Sequence, residues 1–164
     1  MEILEILGLI KNGFSNLSID NKYKAEALKN IELWLTDEIY KDYIPQIEYL
    51  VETKKWDLLL DSFYQVIPFG TGGRRGFVGI GPNRINTITI QLSAQGHSQY
   101  LIKKYGEDAK NRGIVISYDV RKFIKKGIFD DQRQNPVKDL SCKDLAEKAA
   151  VVYAGNGIKV YMFD

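Results

Sequence analysis

Cysteine and histidine are almost missing from this chain: Cys142 and His97 are its only examples in 164 residues. One cysteine closes no intramolecular disulfide, and one cysteine with one histidine makes no zinc-type ligand set. Long apolar runs are missing too; none approaches the ~20 residues of a membrane helix. The start, Met1-Glu2-Ile3-Leu4-Glu5, has no basic stretch of the kind that opens a secretory signal. Neither sign of charge dominates: 23 Lys and Arg face 21 Asp and Glu, a net charge of +2. That surplus gives no reason to expect a nucleic-acid partner. What remains is ordinary globular composition, 45% hydrophobic and 27% charged, which excludes disordered and collagen-like chains. The expectation is a cytoplasmic protein without membrane or nucleic-acid partners. Its length fits one domain, or one domain with a helical appendage.

The chain reads as two parts, residues 1–64 and 65–164. The first holds only Gly8 and Gly13 as glycines, and its apolar residues follow helical spacing. Ile3, Ile6, Leu7 and Ile10 form one stripe. Leu28, Ile31, Leu35 and Ile39 form a second, entered at Asp20 or Asn21 as N-cap. Pro45 fits the first turn of a third helix that buries Ile47, Leu50 and Val51. Leu59, Leu60 and Phe63 continue the pattern after Trp56. This part is expected to be an N-terminal helical arm.

Residues 65–164 alternate differently. Gln65-Val-Ile-Pro-Phe69 is a short β-prone run, followed by the glycine-rich Gly70-Thr-Gly-Gly-Arg-Arg-Gly76. A loop with Gly79, Gly81 and Pro82 leads to Asn86 or Thr87 as a helix cap. Ile90, Ala94, His97 and Leu101 share one face of that helix. Gly106 to Gly113 reads as a polar turn. Ile114-Val-Ile-Ser-Tyr118 has the β-branched, apolar character of a buried parallel strand. Ser141 and Asp144 have capping-box spacing, with Leu140 and Leu145 as a hydrophobic staple. Leu145, Ala149 and Val152 form the stripe of that helix, and Gly155 is expected to end it. Ile158 to Phe163 is a last strand. Residues 122–140 read as a surface insertion. Strand–helix–strand–helix–strand order predicts an α/β fold with a mainly parallel sheet.

The glycine-rich turn is the most informative local feature. Glycines permit close backbone approach, and successive N–H groups in such a turn form an anion-binding nest. Thr71 adds a hydroxyl, and Arg74 or Arg75 adds a guanidinium suited to phosphate oxygens. The same residues equally describe a tight turn with two solvated arginines. Two familiar phosphate motifs are excluded. The dinucleotide fingerprint needs a glycine where Arg75 or Arg84 stands, and no Gly-Lys-Ser/Thr triplet supplies a P-loop. Asp119 and Arg121 lie just beyond a predicted strand, where α/β sheets bind ligands, or else form a local ion pair. His97 is read as a packed core residue rather than a base, since no nucleophile or metal partner accompanies it. Cys142 is read as a small, partly buried residue rather than a nucleophile.

Taken together, Phe69-Gly-Thr-Gly-Gly-Arg-Arg-Gly76 resembles the Phe-Gly-Thr-(Ala/Ser)-Gly-x-Arg-Gly signature of the phosphoglucomutase/phosphomannomutase (phosphohexomutase) superfamily. Gly81-Pro-Asn-Arg-Ile-Asn86 with Gln95-Gly96 resembles the family's loop into its first helix. Gly113 to Arg121 resembles its second strand and Asp-x-Arg turn, and Gly157 to Phe163 its next strand. The arm is similar to the branch that includes phosphopentomutases and glucose-1,6-bisphosphate synthases. The resemblance implies a three-layer αβα domain over residues 65–164, incomplete here, preceded by the arm. It implies an intramolecular phosphotransferase that interconverts sugar phosphates through a phosphoserine and a bisphosphorylated sugar. Thr71, Gly72, Gly73 and Arg75 match the loop that faces the phosphates, and Asp119 and Arg121 match the supporting turn. It also implies Mg²⁺, a glucose 1,6-bisphosphate-type activator, a sugar-phosphate substrate, and the remaining domains as partners.

Departures limit what these residues do alone. No Ser-His dipeptide of a phosphoserine loop is present, nor an Asp-x-Asp-x-Asp metal loop, nor a C-terminal phosphate-binding domain. Lys122-Phe-Ile-Lys-Lys126 intervenes where a serine usually follows the Asp-x-Arg turn, and Gly72 replaces Ala or Ser. No catalytic residue and no metal ligand is therefore assigned within the chain. The expectation is the inactive N-terminal portion of a mutase, with Asp164 resembling a cut. The alternative is a non-catalytic module that binds a sugar phosphate or a protein.

Overall fold

The structure is a computed structural model that describes residues 2–124 and 126–163; Met1, Lys125 and Asp164 lie outside the described residues. Two compact units divide it, one within 1–86 and 125–138, the other within 87–124 and 139–164.

Helical spacing becomes helix in the first unit, started by a side-chain cap in the second helix and by a proline in the third. Four α-helices form: α1 (Ile3–Ser15), α2 (Asn21–Thr36), α3 (Ile44–Glu52) and α4 (Trp56–Phe63). The Asp20 carboxylate caps α2 by accepting from the Lys22 N–H at 2.9 Å. Pro45 falls in the first turn of α3, where its missing N–H costs nothing. Each helix buries one face: Ile6, Ile10 and Phe14; Ile31, Trp34 and Leu35; Ile47 and Leu50; Leu59 and Phe63. Trp34 is the hub. It stacks on Tyr40 and meets Tyr43 and Phe63 edge-on, with ring centroids 4.4, 5.1 and 5.4 Å away. Such pairs add about 0.5–1.5 kcal/mol each beyond burial. Gly13 lets the Trp56 indole lie directly on the α1 backbone; a methyl group there would collide with the ring. The expected second stripe is corrected at its end. Ile39 sits in a 3-10 helix, Glu38–Tyr43, and is exposed, while Tyr40 and Tyr43 of the same turn are buried.

The run from Gln65 to Phe69 does not make a full strand. Only its last residue pairs, as β1 (Phe69–Gly70) against β2 (Gly73–Arg74) in an antiparallel hairpin. Residues 126–138 return to this unit as a strap. The buried Gln46 side chain of α3 donates to the Asp130 and Gln134 carbonyls and accepts from the Asp130 N–H, each at 2.9 Å. The Lys55 ammonium donates to the carbonyls of Gly127 and Ile128. Phe129 and Val137 of the strap are buried. The predicted surface insertion is thus a docked segment, closed at its base where the Phe123 N–H donates to Leu140 O and the Cys142 N–H to Arg121 O.

The second unit holds α5 (Thr87–Tyr105), α6 (Glu107–Arg112), β3 (Ile114–Ile116), α7 (Cys142–Gly155) and β4 (Val160–Met162). β3 and β4 pair in parallel, Ile114 opposite Val160 and Ile116 opposite Met162, with α7 in the connection. Ala94, Tyr153 and Ile158 centre the core, with Leu101, Ile114, Ile116, Ala149 and Val152 around them. Ser141 and Asp144 form the expected capping box. Several expectations change. The polar turn from Gly106 to Gly113 contains α6, entered and left on left-handed glycines. α7 runs through Gly155, and Gly157 takes the left-handed conformation instead. The strands are covered on one face only, since Val115 and Tyr161 are exposed. His97 is exposed rather than packed in the core, and its Nδ1 lies 2.8 Å from the Tyr153 hydroxyl.

The α/β character is present. Among the described residues, however, the strands form only two two-stranded sheets, so the mainly parallel sheet reduces to the β3–β4 pair. No helix is long and apolar enough to cross a membrane among these residues.

Candidate functional site

Gly70-Thr-Gly-Gly-Arg-Arg-Gly76 folds as a tight hairpin because two residues, Thr71 and Gly72, connect paired positions Gly70 and Gly73. Gly73 has φ +117°, a conformation that L side chains rarely adopt; Gly72 does not. The turn is solvent-facing at Thr71, Gly72 and Arg75. With Pro68, Phe69, Gly70 and Gly73, these residues line a cleft of about 280 Å³. Thr71, Gly72, Gly73 and Arg75, the four predicted loop residues, are therefore brought together around one open concavity. A hydroxyl, backbone amides and a guanidinium on one small cleft are the donor set that an anion takes. Arg74 is used differently. Its guanidinium sits over the Phe69 ring, 5.7 Å from the centroid, which leaves Arg75 as the arginine on the cleft.

Asp119 and Arg121 belong to the second unit. Asp119 accepts from the Arg121 N–H at 3.0 Å and from its Nε at 2.7 Å. The Arg121 side chain, above all, holds the Asp119 carboxyl far below the usual carboxylate range. The pair is exposed and ion-paired within two residues of chain. Cys142 lies beside it, at the first position of α7. Burial first, then the Asp119 carboxylate, pushes its thiol up, so it stays protonated at neutral pH. Among the described residues no three His, Cys, Asp or Glu side chains converge to hold a metal ion.

The sequence motifs include Arg84 within Gly81–Asn86 with no role attached, and Asp61 carries no signal at all. Arg84 is a buried charge, only 6% exposed, and it pairs with the Asp61 carboxylate. The available signal was the arginine in Gly81-Pro-Asn-Arg-Ile-Asn86, a loop otherwise without charge.

No family model matches the chain. No solved structure matches it either. Curated proteins do. A phosphopentomutase from Mus musculus is 36% identical over 149 residues, 91% of this chain and 21% of that protein. A phosphoglucomutase from Staphylococcus haemolyticus is 34% identical over 126 residues, 63% of this chain and 22% of that protein. A probable phosphoribomutase from Schizosaccharomyces pombe is 29% identical over 139 residues, 71% of this chain and 24% of that protein. The chain thus spans about a fifth to a quarter of the length of these relatives.

Proposed function

The chain belongs to the phosphohexomutase superfamily, and on that premise we propose that its glycine-rich hairpin is the phosphate-holding element of a cytoplasmic phosphosugar mutase. The observation that carries this reading is the cleft of Thr71, Gly72, Gly73 and Arg75, open to solvent and built from phosphate donors. Arg75 supplies the charge-assisted hydrogen bonds and Thr71 a hydroxyl. The Gly72–Gly73 backbone allows a phosphate to approach without a side chain in the way. Asp119 and Arg121 act as support by fixing the exit from β3. In this reading the β3–α7–β4 crossover belongs to a larger parallel sheet of a three-layer αβα domain.

The reaction is transfer of a phosphoryl group between two hydroxyls of one sugar, by way of a phosphoserine and a bisphosphorylated sugar. Phosphoryl transfer depends on positioning and on neutralising the spread charge of the transferring group. The hairpin contributes to both. The phosphoserine and metal ligands must come from polypeptide other than these 164 residues, so this chain alone binds without turning over.

Calorimetric titration with ribose 5-phosphate, glucose 1-phosphate and inorganic phosphate tests the reading. Binding by the unaltered chain, weakened about tenfold or more in Arg75→Ala, supports it. Equal binding by both, or none by either, rejects the hairpin as the site. Turnover of glucose 1-phosphate above blank by the purified chain, with Mg²⁺ and glucose 1,6-bisphosphate, would show that the catalytic set is complete here after all.

A further inference from the structure

The hairpin grows from a loop whose own fixed point is a buried arginine. The Arg84 guanidinium ion-pairs with the Asp61 carboxylate and donates to the carbonyls of Asp61 and Asn83 at 3.3 and 3.1 Å. Asp61 lies in the last turn of α4, so its carbonyl has no intrahelical donor. Asn83 reinforces the same helix end: its Nδ2 donates to Asp61 O at 2.8 Å and its N–H to Ser62 O at 3.0 Å. The buried Asn86 amide donates to the carbonyls of Gly79 and Gly81, each at 2.9 Å, and so cross-braces the loop. Gly81, at φ +110°, lies directly on the Ser62 backbone, a place no side chain fits.

This braced loop holds both legs of the hairpin. On the entering side, the Ile67 N–H donates to Pro82 O at 2.9 Å. On the leaving side, the Ile85 N–H donates to Phe77 O at 2.8 Å and the Gly79 N–H to Ile85 O at 3.1 Å. The legs also meet each other. A Cβ on Gly76 would lie 2.6 Å from the buried Ile67 Cδ1. The residues before and after the turn are therefore fixed to one loop, and Arg84 fixes that loop to α4.

We propose that Arg84, paired with Asp61 in the loop that Asn86 cross-braces, is a positioning residue that sets how the hairpin presents Thr71 and Arg75 to a sugar phosphate. This rests on the reading of the hairpin as the phosphate site. A buried charge is costly unless paired and hydrogen-bonded, and an apolar side chain would fill the same space without that cost. What arginine adds is a planar fork that engages a carboxylate and two carbonyls at once in fixed directions. Lysine keeps the charge and loses the fork.

The test compares the unaltered chain with Arg84→Lys and with Asp61→Asn, which keeps the shape of a side chain that is 57% exposed and removes its charge. Amide exchange by NMR is read at Ile67, Gly79 and Ile85, and at Ile10, Ile31 and Leu50 of the arm core. Ribose 5-phosphate affinity is read alongside. The expected result is exchange faster by about tenfold at the three loop amides, with the arm amides unchanged and affinity lower by about tenfold. Acceleration equal throughout the unit shows Arg84 to be a general stabiliser and overturns the proposal. Unchanged loop exchange in both variants overturns it as well. Loosened loop amides with full affinity show that the brace does not serve the site. If the unaltered chain binds no sugar phosphate, the site reading fails. The exchange result then still decides whether Arg84 holds the hairpin.

Discussion

Two adjacent glycines of the hairpin behave oppositely. A methyl group on Gly72 would meet only the end of the Arg75 side chain, 3.8 Å away, and the backbone there is not left-handed. Gly72→Ala should therefore stabilise by about 0.4–1 kcal/mol through the unfolded chain, read by urea titration. Gly73 has φ +117°, so Gly73→Ala should cost about 1–3 kcal/mol by urea titration. A relaxed Gly73→Ala would show that the turn has another geometry. Gly13 makes a different case, because its backbone is ordinary helix and its neighbour is a ring. Gly13→Ala forces the Trp56 indole off α1 and should cost about 1–3 kcal/mol, with a shifted tryptophan emission. Family resemblance located the four hairpin residues. Which of its glycines tolerates a side chain is a fact of backbone angle that composition does not carry.

Elements were legible where their determinants are local. The Ser141–Asp144 box, the Asp20 cap and Pro45 in α3 all act within one helical turn. Ser141→Ala should lower stability by about 0.5–2 kcal/mol at neutral pH. The Ser141 hydroxyl, first among its causes, holds the Asp144 carboxyl below its ordinary value. A depressed carboxyl stabilises above its unfolded pKa, and that contribution fades as pH falls through the folded one. The gap in melting temperature between the two proteins should therefore narrow below about pH 4. A gap constant down to pH 2 would separate the cap from the carboxylate. Legibility failed where partners are distant or marginal. α6 is six residues long and bounded by glycines, so the polar stretch read as a turn. α7 passes Gly155 because Asn156 ends it and Gly157 supplies the left-handed turn. His97 has helical spacing with Ala94 and Leu101, yet Ser98 is the residue that is buried.

For the whole molecule, the acid range is the informative one. Glu52 is held below its ordinary pKa chiefly by Arg133, Asp119 by Arg121 and Asp144 by Ser141. Each favours the folded state while ionised. Thermal stability should accordingly fall as pH drops from about 4 toward 2, and Arg133→Gln should remove the Glu52 share. A flat acid profile would show these pairs to be thermodynamically silent, as exposed pairs often are. Arg133 also ties the strap to α3 through Glu52. Residues 122–140 carry no period of their own, and their order comes from a buried glutamine far earlier in the chain.

That separation governs the timing of folding. Gln46 and its partners Asp130 and Gln134 are 84 and 88 residues apart. On a ribosome, the helices of the arm emerge long before the segment that satisfies this amide. Until then Gln46 remains hydrated, without the strap carbonyls that its amide will meet. Closing so large a loop is entropically slow, though each doubling of its length adds only about 0.6 kcal/mol. The arm therefore waits on one amide, and the arrival of the strap is the event that satisfies it.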